Sequence, residues 1–276
     1  MAQAMPAWPR LASYTSFTAS SVSFKAVEQS AIWPLGSAFP GSMAGNSEGG
    51  APEDIPDMTW QALKDYHDRY YHPSNCAAYL YGQLDNYRAF LQLLDGYFSA
   101  YEKADIVIDD ADYAPIAGPV AATFEYPVEA SSNTTNSGRI YYGFRIDETD
   151  EATIHSLKVL STLLGSPSFP VITALTEALP HASFGCSLTL DTPVPTIVFI
   201  ADGVNAEDAE IFRATVDAAL AQIVTDGLDA SAVDAVAAAL RLEVMLMSES
   251  SSLGVDMIPN IVYYWASTGD WHDFLD

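Results

Sequence analysis

Apolar residues along this chain recur at two spacings, one of three to four residues and one of two, which divide it into helices and strands. Trp60, Leu63, Tyr66, His67, Tyr70 and Tyr71 follow the first spacing, which puts them on one helical face. Thr59 stands just before them, where its hydroxyl can accept a hydrogen bond from an orphan amide of the first turn. Pro73 ends the element, because it disfavours helical geometry at His72 and has no N–H to donate. The stretch CAAYLYGQL (76–84) is aliphatic and aromatic, closes on Gly82, and predicts a buried strand. Tyr87, Phe90, Leu91, Leu94 and Phe98 then form one stripe of a second helix.

Further along, AATFEYPVE (121–129) and GRIYYGFRI (138–146) predict strands flanking the polar loop ASSNTTNS. Ile154, Leu157, Leu160 and Leu164 lie in register for a helix over 150–164, and a short proline-opened helix and a loop follow it. CSLTLD (186–191) and TIVFIADG (196–203) predict two more strands. Two amphipathic helices close the pattern. Their stripes are Ala209, Phe212, Val216, Ala219 and Ile223, then Val233, Val236, Leu240, Val244 and Met247. Strands that precede two long helices imply an α+β fold, with helices packed on one face of mainly antiparallel sheets.

The flanks are less regular. The first twenty residues show little periodicity, SVSFKAVEQSAI (21–32) predicts a short helix, and 33–57 is a long loop rich in proline and glycine. The acidic, proline-containing stretch 102–119 predicts a linker. It separates a first domain at 1–101, expected to be incomplete, from a second at 120–276, expected to be truncated at its C-terminal end. The final residues, IVYYWASTGDWHDFLD, are apolar and aromatic, a composition suited to continuing into further structure or docking on a partner.

Composition narrows the function. With 49% hydrophobic residues the chain can bury substantial cores. Its 36 acids against 11 bases give a formal charge of −25. That excess disfavours a grip on nucleic-acid phosphates, which needs clustered Lys and Arg, and suits either cationic peptides or simple solubility. No stretch approaches the ~18 consecutive apolar residues of a membrane span, and the N-terminus lacks a signal-peptide pattern. A soluble, cytoplasmic protein with no membrane or nucleic-acid partner is expected. Cys76 and Cys186 lack CxxC spacing and are expected to be reduced, partly buried thiols.

Candidate chemistry centres on YHDRYYHPSN (66–75), which holds two of the five histidines. A zinc hydrolase needs two histidines on one helix face with a glutamate beside them. Five residues of helix turn through ~500°, which leaves His67 and His72 ~140° apart, and only Asp68 offers a carboxylate between them. A structural role fits this pair better than a metal site. His155, His181 and His272 stand alone, as surface or packing residues. There is no GxSxG, Walker loop or GxGxxG, and NSEGG (46–50) has no nearby Lys. Tyr79 and Tyr81 read as buried strand residues without the basic neighbours of a base-stacking platform.

Residues 55–85, IPDMTWQALKDYHDRYYHPSNCAAYLYGQLD, closely resemble a signature segment of the pitrilysin/insulinase family of zinc peptidases, in its presequence-protease branch. There a Thr-capped helix runs into Tyr-His-Pro-Ser-Asn and then a strand ending in Tyr-Gly. FPGSMAGNSEGGAPEDIP is similar to that branch's Ser-Gly-Gly-Asp-Pro stretch, with Glu48 and Ala51 in place of Ser and Asp. The segments from GRIYYGFRI and from TIVFIADG onward resemble the family's second domain, so the likeness runs from about residue 20 to the end. The resemblance implies structural roles for Thr59, Tyr71, His72, Pro73, Ser74, Asn75, Tyr81 and Gly82. It implies no catalytic or metal-binding residue in this chain. Complete members use zinc, held by His-x-x-Glu-His and a distant Glu, with the motif's Glu as general base. This sequence has no such motif, WPRLASYTSF contains no acid, and Glu28 falls within the following helix. The expectation is a fragment or degenerate member that is inactive alone, binds no cofactor, and supplies scaffold and peptide-chamber wall. The alternative is an inactive subunit that pairs with a separate zinc-motif chain. Self-association and peptides in an assembled chamber are the other partners expected.

Overall fold

The computed structural model describes residues 14–18, 39, 52–76, 78–106, 121–125, 131, 133–146, 150–190, 194–258 and 261. The predicted helix over 21–32, most of the linker and nearly all of the C-terminal segment lie outside the described residues. The chain divides into two compact units. Residues 51–109 and those from 242 onward belong to one, and residues 6–50 and 110–241 to the other.

The larger unit is built on a five-stranded sheet of order β2-β1-β3-β5-β4. Its strands are β1 (Tyr14–Thr18), β2 (Ala121–Glu125), β3 (Gly138–Arg145), β4 (Ser183–Thr189) and β5 (Thr196–Val204). Three of its four pairings are antiparallel; β1 and β2 alone run parallel. Tyr142 of β3 faces Phe199 of β5, which faces Cys186 of β4, while Ile140, Ala201 and Phe184 form the next row. Because strand side chains alternate, these rows share one face of the sheet.

Three helices cover that face. They are α3 (Glu151–Leu164), α4 (Pro170–Ala178) and α5 (Asp208–Asp226). Each starts where its sequence dictates. Asp150 Oδ1 accepts from the Thr153 amide at 2.7 Å, and Pro170 opens α4, where its missing N–H costs nothing. Their stripes meet the sheet at Leu157 and Leu164, at Val171, Ile172 and Leu175, and at Ala209, Phe212 and Val216. The Phe212 ring is fully buried and stacks on Phe184 with centroids 6.2 Å apart. Burying such a side chain contributes about 2–3 kcal/mol. The fold is therefore α+β, with helices on one face of a mainly antiparallel sheet. On the opposite face Arg139 pairs with Asp202, and the Arg145 guanidinium lies 5.5 Å from the centroid of the buried Phe39 ring.

The smaller unit contains α1 (Trp60–Tyr70) and α2 (Tyr87–Phe98). Helix α6 (Ala230–Ser248) is divided between the two units after Arg241. Here the sequence expectation needs correcting. Residues 76–84 form no strand among those described, and Tyr79 and Tyr81 are 42% and 51% exposed. No described strand of this unit lies alongside to pair with them, and an apolar run alone does not make a ladder. Cys76, expected to be partly buried, is exposed. Cys186 is half-buried, and its surroundings push the thiol pKa up to about 12.

Candidate functional site

The segment with the strongest chemical promise, YHDRYYHPSN, joins the end of α1 to a short 3-10 turn at Pro73–Asn75. Its helix begins at Thr59, whose Oγ1 accepts from the Ala62 amide at 3.1 Å. It ends at Tyr71, whose amide donates to the His67 carbonyl at 2.8 Å. Beyond that, Pro73 forces the chain out of the helix, and the side chains satisfy the groups left over. His72 Nδ1 accepts from the Ser74 amide at 3.1 Å. Asn75 Nδ2 donates to the Tyr70 carbonyl at 3.0 Å, closing a helix end that would otherwise face solvent. Ser74 Oγ accepts from the Ala104 amide at 3.0 Å, and the His72 ring meets Tyr101 edge-on at 5.3 Å. The junction is thereby tied to the chain that follows α2.

His67 is engaged differently. Its ring stacks on Tyr71 at 4.9 Å, and its Nδ1 lies 3.6 Å from an Asp68 oxygen. Among the described residues no group of three or more His, Cys, Asp or Glu side chains comes together that could hold a metal ion. The donors around His67 and His72 do not fit zinc, and no step through a metal follows from them. Farther along, the rings of Tyr79 and Tyr81 stack at 6.4 Å, and Gly82 takes a φ of 132° open to glycine. Tyr81 also lies directly over Gly254, where a Cβ would run into its ring. Only glycine allows that approach.

A second cluster was missed by sequence reasoning. Asp208, at the start of α5, accepts from the Asn205 amide at 2.8 Å and lies 3.1 Å from His181 Nε2. Asn205 in turn donates from Nδ2 to Asn136 Oδ1 at 2.6 Å and accepts from the Asn136 amide at 2.9 Å. The cluster joins the loop before β3, the start of β4 and the N-terminus of α5. His181 is therefore not a lone residue. Its partner Asp208 lies 27 positions away, and Asn136 and Asn205 are 69 apart, so no local spacing announces the cluster. All of its polar contacts are mutual, which makes it a clamp between loops.

A cleft of about 370 Å³ opens between α3 and the turn before α6, with Leu157, Leu160 and Leu228 on its floor. Asp150 is its one titratable lining side chain. The Thr153 hydrogen bonds hold that carboxyl below the usual carboxylate range, and Ser156 Oγ donates to the Ala152 carbonyl at 2.8 Å. The cleft offers no pairing of nucleophile and base. Tyr142 belongs to the frame as well. Burial and its bond to Asp217 (2.7 Å) push its phenol up to about 12, and Arg213 holds Asp217 from the other side at 3.0 Å.

Residues 57–240, two thirds of the chain, match the family described as "Peptidase M16 inactive domain". The chain is 27% identical to the mitochondrial presequence protease of Xenopus tropicalis over 236 residues, covering 82% of this chain and 22% of that protein. Against the Drosophila melanogaster presequence protease the identity is 28% over 249 residues, with 86% and 23% covered. It therefore spans about a fifth of the length of these relatives. A crystal structure of a protease from Helicobacter pylori shares the fold, with a TM-score of 0.55 at 17% identity over 82% of this chain and 54% of that one. With two thirds of its residues in the match, this chain belongs to the peptidase M16 inactive-domain family.

Proposed function

We propose that this chain is a non-catalytic scaffold of a presequence-protease-like peptidase, forming part of the wall of a chamber that holds peptides. The observation that carries this reading is how the YHPSN junction spends its polar atoms. His72, Ser74 and Asn75 each use a side-chain atom to close or tether the end of α1. The match to an inactive domain supports the same conclusion from an independent direction. In this role, zinc and its activated water belong to the peptidase domain of complete members, and this chain supplies shape and field. The charge of −25 favours basic peptides as chamber contents. A linker at 102–119 and a cytoplasmic location belong to the same reading.

Elemental analysis of the purified chain, with cleavage of an unstructured basic peptide measured in the same sample, tests the proposal. We expect substoichiometric zinc and no chelator-sensitive cleavage. Stoichiometric zinc together with cleavage abolished by a chelator would overturn it and return attention to His67, His72 and their neighbours.

A further inference from the structure

The larger unit has to fold against its own charge. Over the whole of its sequence it holds seven bases and twenty acids. Between Lys158 and Arg241 the one base is Arg213, against ten acids. Arg213 is engaged in the first half of α5, with Glu210 at 2.6 Å and Asp217 at 3.0 Å. Where the other acids stand matters as much as their number. A helix carries partial negative charge at its carboxy-terminal end, so a base in the last turn stabilises it and an acid there opposes it. No base occupies the last turn of α3, α4 or α5. Glu177 lies in the last turn of α4 instead, and α5 ends on Asp226. Both are exposed. Asp226 accepts from the uncharged amide of Gln222. Arg213 stands thirteen residues back, which is ~20 Å along the helix axis and beyond the ~10 Å screening length of ~0.1 M salt. Just past the helix, Asp229 Oδ1 accepts from the Ser231 amide at 2.9 Å, and the bonds from Ser231 hold that carboxyl below the usual carboxylate range. Asp150, which lines a cleft with Leu228, is held low in the same way by Thr153. Like charge thus gathers at the end of α5, and no base of that helix offsets it.

We propose that dissolved monovalent cations complete this fold: the carboxy-terminal turns of α4 and α5 close fully only when salt screens Glu177 and Asp226, so that ionic strength acts as a switch on the packing of the larger unit. The cations form a diffuse atmosphere and occupy no site. Raising salt from ~0.1 to ~1 M shortens the screening length from ~10 to ~3 Å, less than the ~5.4 Å that separates successive turns of a helix. The effect has a direction along α5. Glu207, at the amino-terminal end, is acidic and exposed like Asp226, yet the positive end of the helix favours it. Salt therefore tightens the carboxy-terminal turn and changes the amino-terminal one little. The switch reaches the core through Ile223, which packs against it one turn before Asp226. Fraying of that last turn at low salt returns Ile223 to water, while Phe212 and Val216, nearer the other end, stay buried.

The test is hydrogen exchange of the full chain at fixed pH in ~0.1, ~1 and ~3 M KCl, concentrations that span the screening range. Mass spectrometry reads peptides from the two ends of α5, and an unstructured peptide corrects for the intrinsic rate. Protection then measures the local opening equilibrium. We expect protection over 219–226 to rise on the order of tenfold between ~0.1 and ~1 M and little further at ~3 M. Asp226→Asn keeps an acceptor for Gln222 and removes the charge. It should raise protection there about two- to fivefold at ~0.1 M and shrink the rise with salt. Glu207→Gln removes the same charge from the favoured end and should leave protection over 219–226 within about twofold of wild type. The wild-type series decides the matter even if a variant folds poorly. Protection that stays level or falls as KCl rises would overturn the proposal. So would a gain that keeps growing in proportion up to ~3 M, the mark of salt excluded from the surface, or equal effects of the two substitutions.

Discussion

Asp208→Ala should unfasten the clamp at the start of α5. The carboxylate is nearly buried, with a side-chain exposure of 10%, and one of its oxygens serves both the Asn205 amide and His181. Removing it leaves the Asn205 N–H without its acceptor, a cost of about 1–3 kcal/mol, and forfeits a contact to a charged group worth about 1.5–3 kcal/mol. The two overlap, since both pass through one oxygen, so the expected loss is about 3 kcal/mol. Against a total stability of about 5–15 kcal/mol this is large. Asp208→Asn keeps an acceptor of the same shape, removes only the charge, and should cost about 1 kcal/mol. Urea unfolding followed by circular dichroism reads both as a lower midpoint at unchanged slope. A loss below about 1 kcal/mol for the alanine variant would refute the clamp. An asparagine variant as damaged as alanine would show that charge, and not the shared acceptor, holds the loops.

Two further expectations concern titrating groups. The Tyr142 phenol is raised from 10.0 to about 12, first by burial and then by Asp217. Its neutral form therefore stabilises the fold fully below pH about 10, and this contribution is lost as pH rises through about 12. Phenolate absorbance should show one tyrosine titrating late, and Tyr142→Phe should abolish that step; its persistence would refute the assignment. For the thiols, burial pushes Cys186 up to about 12 while Cys76 is exposed. A thiol reagent at pH about 8 should modify one cysteine at least about 100-fold faster than the other, and Cys76→Ser should remove the fast phase. Two equal phases would contradict the described burial.

What the sequence made legible was the part of the fold governed by local spacing. The stripe of Phe212 and Val216 is set by the 3.6-residue period, and its burial comes from the sheet face that it meets. Thr59 was legible too, because a cap acts within three residues. Strand pairing is not local. YTSFT at 14–18 gave no signal, yet it forms β1 because β2 and β3 supply partners more than 100 residues away. CAAYLYGQL gave a strong signal and forms no strand, because no described strand of its own unit runs beside it. In the junction, the Pro73 break was readable, whereas the bond from Ala104 to Ser74 spans 30 residues and was not. The clamp at Asp208 escaped notice for the same reason.

The place of β1 also bears on how the sheet is assembled during synthesis. It precedes the other described strands in the chain, yet both of its neighbours come more than 100 residues later, and it lies between them. Pairings β3–β5 and β4–β5 join strands much closer in sequence, so they close their loops at less entropic cost and can form first. Until β1 arrives, β3 is a sheet edge and β2 has no partner strand, leaving backbone groups open to another chain. The slow, order-determining event in this unit is thus the docking of residues 14–18, and removing them would change how the unit folds before it changed what it binds.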